Sequence, residues 1–204
     1  MNDYILYKQK DLVYDIEADG LLSDSTRIHC LIAKEIGGNR VWKFWDNDVP
    51  AHNFGRHGDE YQGYLNKGAI EFLFKRCNKI ICHNQIGYDI PMIKKFFNID
   101  IYSIKKPEQI IDTYVWSQVL NPDRELPLGC PTRTSITPEL KALGYKTKTI
   151  GAHGLESWGW RCGNHKIEIY DWKTFTPSIL TRCEVDVNIN EKTYLKLLKE
   201  AGID

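Results

Sequence analysis

Asp15-Ile16-Glu17 is the first place in this chain where residue types and spacing could do chemistry. Residues 12–16 read as a short buried strand. In a strand, side chains i and i+2 share a face, so both carboxylates point the same way at its C-terminal end. Ile16 and Val13 are read as facing the other way, into packing. Two carboxylates side by side repel unless a cation lies between them, and hard oxygen donors suit Mg²⁺ or Mn²⁺. The alternative is a polar turn, Glu17-Ala18-Asp19-Gly20, that simply follows the strand. A second cluster holds His83, Asn84, Tyr88 and Asp89, where a brief apolar run hands over to a helix, a position at which binding residues gather in open α/β sheets. Asp89 at a helix start would also complement the helix dipole. The third candidate is Asp186, at the edge of an apolar helical stripe. A carboxylate buried alone is costly, so it calls for a metal or for an ion pair, with Arg182 one turn earlier as the near partner.

The elements that must position these groups can be traced in order. Segments 27–36 and 40–45 read as strands flanking Gly37-Gly38-Asn39, a hairpin signature. Residues 46–67 are rich in Asp, Asn, His and Gly and read as an exposed loop. Residues 69–76 have helical apolar spacing, 79–84 suit a buried strand, and 88–97 read as a helix with Pro91 in its first turn, where Pro is tolerated. A short strand at 110–113 leads into a helix at 114–120. Residues 121–151 hold four of the eight prolines and alternate Thr, Lys and Arg, which reads as a loop or lobe. A short helix follows at 151–163. The last helix opens at Pro177, with Leu180, Cys183, Val187, Tyr194 and Leu198 on one stripe. The order β-β-β-α-β-α-β-α implies one α/β domain with a mixed sheet.

Composition sets the outer bounds. The 204 residues carry 27 Lys+Arg against 27 Asp+Glu, so any hold on nucleic acid must be local rather than a bulk basic field. Six Trp, eleven Tyr and seven Phe require a packed interior. No apolar run approaches the ~18 residues of a membrane span, and the start resembles no secretory signal, which points to no membrane partner and a cytosol-like compartment. Six cysteines there read as reduced thiols. A zinc site could be drawn from Cys162 and His165 with Cys130 and His153, but the second Cys-x-x-Cys pair of a zinc ribbon is missing.

Taken together, D-x-E on a first strand, N-x-x-x-Y-D after a later strand and a helical Asp near the end resemble the proofreading 3′–5′ exonuclease domain of bacteriophage-type family-A DNA polymerases, within the DEDD exonuclease superfamily. Residues 111–120 and 151–163 also look like segments of those phage enzymes, and the likeness runs from Leu12 to Leu198. The resemblance implies a ribonuclease-H-like fold with a mixed five-stranded sheet flanked by helices, a single domain over 1–204 with 121–150 as a lobe. It implies that Asp15, Glu17, Asp89 and Asp186 hold two divalent ions, Mg or Mn, astride the scissile phosphate. Asn84, Tyr88 and His83 would support the substrate, and Lys141, Lys146 and Lys148 of the lobe could reach phosphate. Trp158 and Trp160 belong to the core or beside the site.

The pattern is broken at one position. The family places Tyr, or His in a sister group, four residues before the last Asp; here Arg182 stands there, and arginine keeps its proton. The implied activity is metal-dependent release of 5′-nucleotides from a single-stranded DNA 3′ end. The competing reading is a weakened exonuclease fold that binds nucleic acid or docks on a polymerase. No polymerase sequence follows Asp204, so the chain reads either as an excised polymerase domain or as a separate polypeptide working with a polymerase subunit, in the host cytoplasm if phage-borne.

Overall fold

The computed structural model describes residues 10–46, 55–134, 137–142 and 147–203. Seven strands, β1 (Leu12–Ala18), β2 (Ile28–Glu35), β3 (Val41–Trp45), β4 (Gly55–His57), β5 (Glu60–Tyr64), β6 (Ile80–Cys82) and β7 (Ile110–Asp112), form one mixed sheet in the order β4-β5-β3-β2-β1-β6-β7. β1, β2 and β3 are an antiparallel meander, turned between β2 and β3 at Gly37, whose φ of 66° suits glycine. β6 lies parallel to β1, and β7 parallel to β6.

Both faces of β1 are apolar, so it must be covered twice. Leu12, Tyr14 and Ile16 pack with α1 (Lys67–Arg76) and α2 (Asp89–Phe97), which supply Ile70, Phe74, Met92 and Ile93. Val13 lies on the opposite face with Ile32 and Ile81, under Ile179, Cys183 and Val187 of the long helix α7, which spans Pro177–Glu200. Val13 therefore shares the face of Asp15 and Glu17 rather than that of Ile16; odd positions of one strand stay together. The same face thus begins apolar under the helix and turns acidic at the strand's end. Between α2 and α7 in sequence lie α3 (Ile101–Ile104), α4 (Thr113–Leu120), α5 (Pro138–Ala142) and α6 (Leu155–Cys162). Trp158 and Leu155 of α6 close against Ile189 and Leu197 of α7.

The five strands anticipated are β1, β2, β3, β6 and β7. The other two arise inside the segment read as a loop: β5 runs parallel to β3, and β4 folds back on β5. A chain with polar residues at most positions gives no apolar alternation, yet its backbone still satisfies the free edge of β3, and Tyr61 adds its ring to the core. The described residues of the 121–151 segment are mostly exposed, with α5 and one bridge between Arg133 and Thr149 as their order, and Ile150 near the segment's end is buried. No helix among the described residues is long and apolar enough to cross a membrane.

Candidate active site

The carboxyl end of β1 sits between the N-terminus of α2 and the first half of α7, and that placement gathers the acids. One oxygen each from Asp15, Glu17 and Asp186 lies within 4.8 Å of the others. Asp15 also comes within that distance of Asp89 and of the Cys82 thiol. Asp15 is thus common to two ligand-sized groups, and the four acids among them line one cleft of about 510 Å³. The Sγ of Cys183 in α7 meets the carbonyl oxygen of Asp15 at 3.4 Å, so helix and strand touch directly at the site.

Burial keeps Asp15, Glu17 and Asp89 from ionising freely. Burial first, then the charges of Glu17, Asp89 and Asp186, raise Asp15 well above the ordinary carboxylate range. Burial pushes Glu17 up to about 8, with Asp186 adding to the effect and the Lys166 and Arg182 cations opposing it. Asp89 is pushed up to about 7, again by burial before any other cause. Two buried oxygens, Oδ1 of Asp89 and Oδ1 of Asp186, have no hydrogen-bond partner. A repulsive group of carboxylates with unpartnered oxygens at ligand spacing fits a hard divalent cation, since such a cation relieves both costs.

Cations of the chain already reach the other Asp186 oxygen. Lys166 Nζ lies 2.7 Å from Oδ2, and Arg182 Nε donates to the same oxygen at 3.0 Å. Arg182 Nε is also 3.9 Å from Glu17, and its Nη1 donates to the carbonyl of Ile167. Burial works against the guanidinium's charge, but Asp186 and Glu17 outweigh it and hold Arg182 more firmly protonated than a free arginine.

The turn before α2 shapes the opposite wall. Asp112, at the end of β7, accepts from the backbone N–H groups of Asn84 and Ile86, which fixes the loop between β6 and α2. Asn84 adopts a φ of 65°, and Gly87 lies so close beneath it that a Cβ there would stand 2.7 Å from the Asn84 Oδ1. Tyr88 donates from its hydroxyl to the carbonyl of Gly20 at 2.8 Å, tying this loop to the one after β1. His83 Nδ1 is 3.0 Å from Thr113 Oγ1, and burial pushes the ring down to about 3, so it is neutral. Asn84, Tyr88 and His83 all line the cleft.

A second hollow of about 510 Å³ adjoins the first, sharing Glu17, Tyr88 and Trp172 with it. Lys148 from the lobe and Lys173 line it, beside Tyr170 and Trp172. Lys141 is exposed on α5 and lines neither hollow. Lys146 lies outside the described residues. Trp158 is fully buried, flanked by the guanidinium groups of Arg124 and Arg161 at 4.7 and 5.0 Å, which makes it a core residue. Trp160 lies against His165 at 4.5 Å between ring centres. Cys130, His153, Cys162 and His165 form no group at ligand spacing among the described residues; His153 is 3.0 Å from Ser117 instead. All six cysteines are free thiols.

Sequence reasoning did not single out Lys166, Tyr114 or Trp172, although all three line the cleft. Lys166 and Trp172 come from the irregular strap between α6 and α7, where no periodicity reports which side chain turns inward.

No family model matches the chain. The DNA-directed DNA polymerase of Enterobacteria phage T3 is 30% identical over 164 residues, which is 78% of this chain and 20% of the polymerase. That of Escherichia phage T7 is 26% identical over 164 residues, with the same shares. The chain therefore spans about one fifth of the length of these relatives. Among solved structures, one described as the apo form of a nuclease aligns with a TM-score of 0.55 and 16% identity, over 97% of this chain and 75% of that one. Brucella melitensis NrnC with bound Mg²⁺ aligns with a TM-score of 0.55 and 14% identity, over 99% and 80%. At those identities the likeness is one of fold, and the fold is ribonuclease-H-like. Sequence and architecture agree: the chain is similar to bacteriophage DNA polymerases over about one fifth of their length, and it has a ribonuclease-H-like fold of the kind seen in solved nucleases.

Proposed function

We propose that the chain is a divalent-metal-dependent 3′–5′ exodeoxyribonuclease that releases 5′-nucleotides from single-stranded DNA ends, serving as the proofreading partner of a DNA polymerase. The observation that carries this reading is the meeting of Asp15, Glu17, Asp89 and Asp186 at ligand spacing in a buried cleft, with two carboxylate oxygens left without partners. Asp15, Glu17 and Asp186 would hold one ion and Asp15 with Asp89 a second. When bound, such ions supply positive charge to the phosphate and acidify a water, so that hydrolysis needs no basic protein surface. Asn84 and Tyr88 form the wall against which a terminal nucleotide would rest. Lys148 and Lys173, one hollow away, would meet the phosphates of the strand leading to it. Arg182 keeps its proton and so cannot act as base; its role is to hold Asp186.

One observation favours a second reading. Two protein cations already neutralise part of the acidic cluster, as they would in a fold that had kept binding and lost chemistry. A timed digestion separates the two. With 5′-labelled single-stranded DNA and Mg²⁺, the enzyme produces a ladder shortening one nucleotide at a time from the 3′ end. Retention of the strand without cleavage in both Mg²⁺ and Mn²⁺ would identify a binding module instead.

A further inference from the structure

We infer that Lys166 is a substrate-binding residue of this site, an ammonium that rests on Asp186 until metal arrives and then contacts the phosphate being cut. The inference rests on the metal-nuclease reading above and adds to it a residue that the sequence pattern did not assign. Three observations carry it.

First, Lys166 reaches the cluster with its charged end. Its Nζ is 2.7 Å from Oδ2 of Asp186, and only 15% of the side chain is exposed. A surface lysine gains little from such a contact and loses rotamer freedom by making it. Here the partner is a nearly buried carboxylate among three others, where an ammonium relieves repulsion that nothing else in the metal-free site offsets fully.

Second, the backbone around Lys166 is held from both sides. Asn164 N–H donates to the carbonyl of Gly159 at 2.9 Å, and α6 approaches so closely that a Cβ on Gly159 would stand 2.5 Å from the Asn164 oxygen. His165 is placed against Trp160, and the Ile167 carbonyl accepts from Arg182. The strap is irregular, but at this point it is fixed by α6 and α7 together. Gly163, with a φ of 64°, ends α6 and turns the chain toward the site.

Third, the charges do not balance the way a permanent ion pair would. Lys166 and Arg182 converge on one oxygen of Asp186 while its other oxygen is unpartnered. When a divalent ion takes Asp186, the carboxylate no longer needs both cations. Arg182 is anchored by the Ile167 carbonyl and by its position on α7. Lys166 has four rotatable bonds and stands in the same cleft, so it is the group free to turn toward a new anion. A phosphate placed between the metal and Lys166 supplies that anion.

The test compares the parent with Lys166→Met, which keeps the aliphatic stem, and with Lys166→Arg, which keeps the charge. Thermal melting first establishes that each is folded. Calorimetric titration with Mn²⁺ in the absence of DNA reads the first half of the claim: loss of a competing ammonium tightens Mn²⁺ binding, by roughly tenfold in Lys166→Met. Binding of labelled oligo(dT) in Ca²⁺ over a series of salt concentrations reads the second: Lys166→Met binds about tenfold more weakly, and its salt slope drops by about 0.7. Lys166→Arg restores the slope. Opposite signs for metal and DNA are the signature, because a merely structural lysine would weaken both or neither. Unchanged metal affinity or an unchanged salt slope in folded Lys166→Met overturns the proposal. A parent that takes up no Mn²⁺ overturns the metal-nuclease reading itself, and Lys166 with it.

Discussion

Arg182 shows how one side chain can alter a site without dismantling it. It lies on the same helical face as Asp186, one turn earlier, and the two are joined at 3.0 Å. The i, i+4 spacing made this pair legible in the sequence, and the D-x-E spacing did the same for Asp15 and Glu17. Lys166 was not legible, because it arrives from an irregular strap whose path is set by tertiary contacts. Metal must compete with the Arg182–Asp186 pair, so activity should require more Mg²⁺ than in a tyrosine-bearing relative. Arg182→Tyr is predicted to lower that requirement and to recover part of the roughly 10²–10⁴-fold that base assistance contributes; a slower Arg182→Tyr enzyme would show that the guanidinium itself clamps the phosphate. The acids make a second prediction. Glu17 and Asp89 have folded-state values raised to about 8 and about 7, so their protonated forms are the ones the metal-free fold favours. Their contribution to stability is full below the unfolded carboxylate range and is lost as pH rises through about 7 to 8. Without metal, the melting temperature should fall between pH 6 and pH 9, and Mg²⁺ should raise it more at pH 9 than at pH 6. A melting temperature that rises with pH in chelator would contradict this.

The elements with strong apolar periodicity, β1, β2, α2 and α7, could be placed from sequence because burial on a defined face leaves a pattern. β4 and β5 could not, since an edge pair is held by backbone bonding to β3 and carries polar side chains. The parity of Val13 was misread for a different reason: a strand covered on both faces has apolar residues at odd and even positions alike, and only the switch to Asp15 and Glu17 marks the end of the covered stretch. Gly159 belongs to this scale. A methyl group there meets the backbone oxygen of Asn164 at 2.5 Å and the Ile189 side chain at 3.2 Å. Gly159→Ala should therefore push the strap away from α6 and destabilise the protein by about 1–3 kcal/mol. Denaturant unfolding measures this, and a change below the experimental error would mean that the strap is not held by α6.

At the scale of the molecule, a chain of zero net charge gathers four acids in one cleft and sets Lys148 and Lys173 in one adjoining hollow. Lys148 enters that hollow from the lobe while Lys141 does not, so the two are predicted to differ. Lys148→Ala should weaken single-strand binding and flatten its salt dependence, and Lys141→Ala should change neither. Equal effects of the two would make the lobe a diffuse electrostatic surface. The chain matches about one fifth of the length of the phage polymerases, so the cleft is tested on this chain by itself. The most direct test is the digestion rate of labelled single-stranded DNA by the parent and by the Asp15→Asn/Glu17→Gln double variant, each with Mg²⁺ and with chelator. Relief of like-charge repulsion should leave the double variant folded and as stable as the parent or more so, and metal or no metal it should cut nothing. A folded double variant that digests DNA at the parent's rate would place the activity elsewhere and contradict the account.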